Sequence, residues 1–270
     1  MSVDPIDPID QLEAELDDLR AMVVRLDTES WHALTPCEGW TVADVVLHLA
    51  QTNEFAILSL ADEMAPRHAV ATPREDGTRG AAGDEVDAAA AAAVAAQRHA
   101  STDEIGARWE RSATDMVAAF RARDPHDRVQ WVAGTLSART LVSTRIAETW
   151  IHAGDVARAI GLTQAPTARL YEIARLAWRT LPYAFARAAY EPGSDVRFDL
   201  IAPDGDRWWF GTTTDPPAPG AATNVAATLV RGPALHLCLV AARRMRAEDS
   251  DLRGVGPDAD AVLAHVRTYA

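Results

Sequence analysis

Lysine is absent from this chain of 270 residues, so its 26 strongly basic side chains are all arginines, and 39 acidic side chains outnumber them. The formal net charge is −13, and the arginines are scattered among acids instead of forming a basic stripe. Nucleic-acid binding depends on clustered positive charge that contacts phosphates. We therefore expect no nucleic-acid partner, and the acidity itself favours solubility.

Cysteine and long apolar runs are also scarce. The two cysteines, Cys37 and Cys238, are far apart, which argues against a disulfide framework and favours a reducing compartment. No apolar run approaches the roughly 18 residues of a membrane-spanning helix. The opening segment, MSVDPIDPIDQLEAEL, lacks the basic and apolar regions of a signal peptide. We expect a cytoplasmic monomer or homodimer with a small-molecule substrate and no membrane partner.

Apolar residues at three- and four-residue steps predict helices through the first two-thirds of the chain. Thr41 and Ser101 are predicted N-caps, and Gly161 is placed to end a long helix. The proline-, glycine- and charge-rich segment 66–83 is predicted to be a loop, and 124–134 a connection. The predicted helices span residues 7–27, 41–64, 88–99, 101–123, 137–160 and 167–189.

The pattern changes after Pro192. The segments VRFDLIAP and DRWWFGT flank the turn sequence PDGD and predict a β-hairpin, and NVAATLVRG is a third candidate strand. Two further helices are predicted over 233–247 and 258–269. The fold prediction is mainly α with α+β: a helical domain over 1–163, followed by a smaller α+β domain over 164–270.

The segment RIAETWIHAGDVARAIG carries the strongest chemical signal. Glu148 and His152 are four residues apart on a predicted helix, so both project from one face and suit two ligands of one metal ion. Asp155, one turn further, is placed to orient a ligand imidazole. The alternative is a surface helix on which Glu148 pairs with Arg145 or Arg158, and spacing alone leaves both interpretations open.

His48 is the best candidate for a third ligand. It lies in the middle of a predicted helix within the apolar sequence VVLHLA, where its ring nitrogens need partners. Two histidines and one carboxylate leave open positions on Zn²⁺ or a similar ion, which is the arrangement of a catalytic site. The alternative is a core histidine that has found hydrogen-bond partners.

Two segments together resemble a known family. TPCEGWTVADVVLHLA, followed along the chain by RIAETWIHAGDVARAIG, resembles the mycothiol-dependent maleylpyruvate isomerase family, which belongs to the DinB-like metal-binding superfamily. WVAGTLSARTL and VRGPALHLCLVAARR resemble one actinobacterial branch of its metal-binding members. The resemblance implies a DinB-like four-helix bundle and a C-terminal α+β domain that closes over the metal.

The resemblance also implies a site and a reaction. The metal triad falls on His48, Glu148 and His152, with Zn²⁺ as the expected ion and mycothiol as a co-substrate. In the family's isomerase a thiolate adds to an activated alkene, the bond rotates, and the thiolate leaves. An arginine of the C-terminal domain acts near the substrate there. In this chain Arg231, Arg243 and Arg244 all lie in matching neighbourhoods.

The remaining candidates carry weaker signals. We take Arg243 and Arg244 as candidate catalytic residues, together with Asp44, which precedes His48 by one turn and suits a general base. A solvated acid is the alternative for Asp44. Cys37 has no evident partner in the sequence, so a structural role is favoured over a nucleophile or an extra ligand.

We therefore expect a metal-dependent enzyme, an isomerase or S-transferase that uses mycothiol on a small electrophilic metabolite. Two alternatives remain open. The first is a metal-dependent hydrolase, lyase or cyclase that uses no thiol. The second is a non-catalytic small-molecule binding protein on the same fold.

Overall fold

Four helices that pack against one another build the first compact unit: α1 (Pro8–Val23), α3 (Val42–Leu60), α5 (Thr102–Ala122) and α6 (Ala138–Ala159). The computed structural model describes residues 7–64, 82–132, 134–212 and 227–268. In its first compact unit, Met1–Gln164, α3 packs against both α5 and α6, and α1 packs against the same two helices. This arrangement is a four-helix bundle. The unit also contains α2 (Thr28–Trp31) and α4 (Ala82–Gln97).

Capping side chains fix where these helices begin, as the sequence predicts. Thr41 and Asp44 form a reciprocal capping box on α3, and Ser101 and Glu104 form another on α5. Gly161, with φ of +74°, follows the end of α6 in the left-handed conformation that glycine adopts without strain. The start of the helix that carries His48 is thus fixed by its own sequence.

Other boundaries differ from the predictions. The first helix ends at Val23 instead of residue 27, and α2 follows as a separate turn. The predicted connection 124–134 contains a strand, β1 (Arg128–Trp131), which pairs antiparallel with β2 (Gly134–Ser137). The predicted loop 66–83 lies outside the described residues up to 81. Its last two residues are helical, since α4 begins at Ala82 and not at the predicted residue 88. The predicted helices over 41–64, 101–123 and 137–160 correspond to α3, α5 and α6, although α3 ends at Leu60 instead of residue 64.

The second compact unit, Ala165–Ala270, is a small α+β structure. Its four-stranded sheet has the order β4-β3-β5-β6, in which β3 and β5 run parallel and both outer pairs are antiparallel. The hairpin predicted around PDGD is confirmed as β3–β4. The elements are α7 (Leu170–Arg187), β3 (Val196–Ile201), β4 (Arg207–Phe210), β5 (Thr228–Pro233), α8 (Ala234–Ala241), β6 (Arg253–Val255) and α9 (Ala259–His265).

The helix predicted over 233–247 extends past the observed end of α8, which is Ala234–Ala241. The observed helix ends at Ala241, because Arg243 adopts a left-handed φ of +56° and the N–H of Arg244 donates to the carbonyl of Leu239. This backbone reversal closes the helix as a glycine normally would.

The predicted fold class, a mainly helical chain with a C-terminal α+β unit, is confirmed. Within the described residues, no helix combines the length and apolar character needed to cross a membrane.

Asp258 organises the polar contacts of the second unit. Its buried carboxylate accepts hydrogen bonds from the hydroxyl of Tyr190 at 2.8 Å, the N–H of Gly193 at 3.0 Å and the hydroxyl of Ser194. Burial acts to raise the pKa of Asp258, but these hydrogen bonds outweigh it and hold the pKa below its ordinary value. The ionised carboxylate therefore stabilises the fold above the ordinary carboxyl pKa, and that stability is lost as the pH falls through the folded-state pKa.

We predict that Asp258→Asn lowers the free energy of unfolding at neutral pH by about 1–3 kcal/mol, because buried donors lose their acceptor. Below about pH 4 the free energy of unfolding of the variant should also fall less steeply than that of wild type. Urea unfolding across a pH series measures both effects. The exposed Asp260→Asn is the control, and equal behaviour of the two variants would contradict the prediction.

Candidate metal centre

Three side chains from two packed helices converge inside the bundle. His48 projects from α3, and Glu148 and His152 project from α6, which packs against α3. His48 Nε2 lies 2.8 Å from Glu148 Oε1, and His152 Nε2 lies 3.4 Å from the same oxygen. All three residues are at least nine-tenths buried. The spacing of Glu148 and His152 thus directs both side chains to one point, as the sequence predicts.

The donor set fits a divalent cation. The candidate ligand atoms of His48, Glu148 and His152 all lie within 4.8 Å of one another. Zinc bound to nitrogen or carboxylate oxygen at about 2.0–2.2 Å in a tetrahedral site requires donors about 3.4 Å apart. The separation of 3.4 Å between Glu148 and His152 equals that value, and the 2.8 Å between His48 and Glu148 is shorter by about 0.6 Å. Two imidazoles and one carboxylate suit zinc and similar borderline ions, and they leave a coordination position for another molecule.

Asp155 accepts a hydrogen bond from Nδ1 of His152, the ring nitrogen that faces away from Glu148. Its Oδ2 lies 3.1 Å from His152 Nδ1, and the carboxylate accepts the Nδ1–H. That hydrogen bond fixes the orientation of the ring, so that Nε2, the other ring nitrogen, faces Glu148. Asp155 is 1% exposed, so the bond is shielded from water. The sequence-based role for Asp155 as an orienting residue agrees with this contact.

The electrostatic balance of the cluster favours negative charge on Glu148. Burial acts to raise the pKa of Glu148, but the hydrogen bonds and charges of His152 and His48 outweigh it and hold the pKa well below its ordinary value. Burial lowers the pKa of His48. Burial also opposes protonation of His152, but Asp155, Cys37 and Glu148 together keep its pKa above the usual range. Glu148 is therefore ionised, and the neighbouring histidines compensate its charge; a bound cation would take over that role.

Arg145 contributes a second buried charge one turn before Glu148 on α6. Its Nη2 donates to Thr52 Oγ1 at 2.8 Å and to Asn53 Oδ1 at 3.4 Å, both on α3. Arg145 is 2% exposed, and its Nε has no hydrogen-bond partner among the described residues. Burial lowers the pKa of Arg145. These bonds tie α6 to α3 one turn away from the contact between His48 and Glu148, which fixes the register of the two helices.

The loop before α3 covers the cluster, and sequence reasoning missed part of its role. The Trp40 ring packs against the His48 ring with centroids 5.1 Å apart. The half-buried thiol of Cys37 donates to Asp155 Oδ2 at 3.3 Å and lies 4.0 Å from His152 Nδ1. No local spacing links Cys37 to residues more than a hundred positions away, so only the folded chain reveals the contact.

The predicted catalytic residues lie in other surroundings. The carboxylate of Asp44 accepts from the N–H and hydroxyl of Thr41, and it pairs with Arg98 at 3.1 Å. These contacts give it a structural task at the start of α3 and do not support a role as a base. Arg243 is exposed and Arg244 half-buried in the turn that follows α8, within the second unit. A catalytic role for either arginine stays a prediction.

We predict that Asp155→Asn weakens divalent-cation binding by about 10–100-fold, because the orienting carboxylate of a ligand histidine is lost. Competition with a chromophoric zinc chelator measures the affinity. Glu54→Gln is a matched control, since Glu54 lies on α3 but pairs with Arg108 away from the cluster. Unchanged affinity in Asp155→Asn would contradict the orienting role.

Sequence comparison places the chain among known proteins. The model of the mycothiol maleylpyruvate isomerase N-terminal domain matches residues 12–157, more than half of the chain and all three candidate ligands. The uncharacterized proteins MT0041 and Rv0036c, from two strains of Mycobacterium tuberculosis, are each 30% identical over 272 residues. Each alignment covers 99% of this chain and 96% of the relative.

Structural comparison agrees. The fold is similar to crystal structures of the mycothiol-dependent maleylpyruvate isomerase. A histidine-to-alanine mutant of that enzyme aligns with a TM-score of 0.58 over 93% of this chain and 94% of its own, at 18% identity. A second structure of the isomerase aligns with a TM-score of 0.54 over 92% of this chain and 91% of its own. At that identity the likeness concerns the fold. The sequence match shows that this chain belongs to the mycothiol maleylpyruvate isomerase N-terminal domain family.

Proposed function

We propose that this protein is a metal-dependent enzyme that uses mycothiol and acts as an isomerase or S-transferase on a small electrophilic metabolite. The observation that carries the proposal is the convergence of three buried donors, His48, Glu148 and His152, with Asp155 orienting the last of them. Family membership and the fold shared with a mycothiol-dependent isomerase support the choice of thiol. Zinc is the cation we expect.

The ligand set suits thiol activation. A bound cation would act as a Lewis acid that lowers the pKa of a coordinated thiol, so that a thiolate nucleophile is available at neutral pH. Glu148 supplies the one negative charge of the triad, which leaves net positive charge for an incoming thiolate. Asp155 keeps the proton of His152 on Nδ1, and Trp40 shields one side of the His48 ring.

The substrate class follows from what a thiolate can attack. Addition to an alkene conjugated with a carbonyl forms a carbon–sulfur bond and turns the double bond into a single bond that rotates. Loss of the thiolate then gives the isomer, whereas protonation of the adduct gives a stable thioether. The first outcome is an isomerase and the second an S-transferase, so both reactions share one nucleophile and one site.

Metal content tests whether the triad binds a cation. We predict that purified protein loaded with zinc and dialysed retains one equivalent per chain, and that His48→Ala retains much less, because one of three protein ligands is lost. Elemental analysis measures the content, with the exposed His126→Ala as control. Equal retention by His48→Ala and wild type would rule out the triad. Absence of metal from all three proteins would favour a non-catalytic binding protein.

Thermal shift with mycothiol tests whether the metal-loaded protein binds the thiol. We predict that millimolar mycothiol raises the melting temperature of the zinc-loaded protein, since a ligand that binds only the folded state stabilises it by about 2.7 kcal/mol at one hundred times its Kd. Chelation of the metal with EDTA should abolish the shift, and S-methylated mycothiol should give none. A zinc-loaded protein that shows no shift would contradict thiol use and favour a metal-dependent hydrolase, lyase or cyclase.

A further inference from the structure

A second set of metal-binding donors lies on the opposite side of His152. Cys37 Sγ, His152 Nδ1 and Asp155 Oδ2 all lie within 4.8 Å of one another. The three separations are 4.0 Å between sulfur and nitrogen, 3.3 Å between sulfur and oxygen, and 3.1 Å between nitrogen and oxygen. A thiol, an imidazole and a carboxylate are the common ligands of zinc-like ions. We call these three residues the thiol set.

The thiol set has the dimensions of a coordination site. A cation with bonds of about 2.3 Å to sulfur and about 2.0–2.2 Å to nitrogen and oxygen needs donors about 3.2–3.6 Å apart. Two of the three separations lie within about 0.1 Å of that range, and the third exceeds it by about 0.4 Å. Cys37 is half-buried, whereas His152 and Asp155 are buried, so the thiol is the member nearest to solvent.

The backbone holds the thiol in place. The N–H of Cys37 donates to Thr35 Oγ1 at 3.2 Å, and the N–H of Trp40 donates to the carbonyl of Cys37 at 3.0 Å. The N–H of Thr35 in turn donates to the carbonyl of Trp40 at 2.9 Å. These bonds close the loop on itself just before α3. The thiol therefore faces α6 from a fixed position rather than from a long mobile segment.

The triad and the thiol set share the imidazole of His152, so a cation in one set affects binding at the other. In a neutral histidine one ring nitrogen carries a proton and only the other offers a lone pair. With the proton on Nδ1, His152 donates to Asp155 and offers Nε2 to the triad. With the proton on Nε2, it donates to Glu148 and offers Nδ1 to the thiol set. A neutral His152 therefore serves one cation at a time.

We propose that Cys37, His152 and Asp155 form a second metal site, selective for thiophilic divalent cations, whose occupation excludes a cation from the triad. Thiolate favours soft ions over the hard ions that carboxylates and waters prefer, so Cd²⁺ is the fitting probe. Binding exchanges the S–H proton for a sulfur–metal bond and releases that proton to solvent. The exclusion, though not the second site itself, rests on the proposed triad.

Cadmium absorption tests the second site. Titration of the metal-free protein with Cd²⁺ should produce the ultraviolet thiolate-to-cadmium charge-transfer band, with one sulfur per cation. His48→Ala should keep the band, because His48 is outside the thiol set. Cys37→Ser should lose it while it keeps the wild-type melting temperature, and Cys238→Ala should keep it, since Cys238 is buried elsewhere. Absence of the band from both wild type and His48→Ala, or its survival in Cys37→Ser, would overturn the site.

Total metal content tests the exclusion. With Zn²⁺ and Cd²⁺ both saturating, wild type should bind one cation per chain in total. Cys37→Ser should bind one cation through the triad, His48→Ala one Cd²⁺ but little Zn²⁺ through the thiol set, and His152→Ala none that survives dialysis. Two cations per wild-type chain would overturn the exclusion. Cys37→Ser that binds no cation would remove the triad and with it the exclusion, while a cadmium–thiolate band in wild type would still establish the thiol set.

Discussion

The contact between His48 on α3 and Glu148 on α6 is the constraint on which the rest of the site depends. These residues are 100 positions apart, and 2.8 Å separate their nitrogen and oxygen. Keeping them together requires α3 and α6 in one register, which the bonds from Arg145 to Thr52 and Asn53 fix. Buried charges contribute little net stability compared with well-packed apolar side chains. The proposed cation would offset the cost of burying these charges, and this is why we interpret the cluster as a binding site.

Sequence reasoning succeeded where the signal is local. Glu148 and His152 are one helical turn apart, so their shared face can be read from the spacing, and Asp155 follows by the same rule. His48 needed the resemblance, because a histidine inside an apolar helix is ambiguous by itself. The contact of Cys37 with Asp155 depends on how a loop folds against a distant helix, and no local pattern encodes it. The early end of α8 was missed because Arg243, unlike a glycine, gives no sign of its left-handed backbone.

The position of His152 between two carboxylates makes it the centre of the arrangement. Glu148 approaches Nε2 and Asp155 approaches Nδ1, so the location of one ring proton determines which face can accept a cation. The triad face consists of nitrogen and oxygen donors, whereas the other face adds the thiol of Cys37. His152 thus belongs both to the proposed triad and to the proposed thiol set, and the sulfur ligand of the thiol set favours softer cations.

X-ray absorption at the zinc edge tests the central claim most directly, because it identifies the atoms around the ion in solution. For the zinc-loaded protein without added thiol, the account predicts nitrogen and oxygen neighbours at about 2.0–2.2 Å, the scattering pattern of two imidazoles, and no sulfur. Replacement of His48 by alanine should change that spectrum. A sulfur neighbour at about 2.3 Å in the thiol-free protein, or a spectrum that is the same without His48, would contradict the triad of His48, Glu148 and His152.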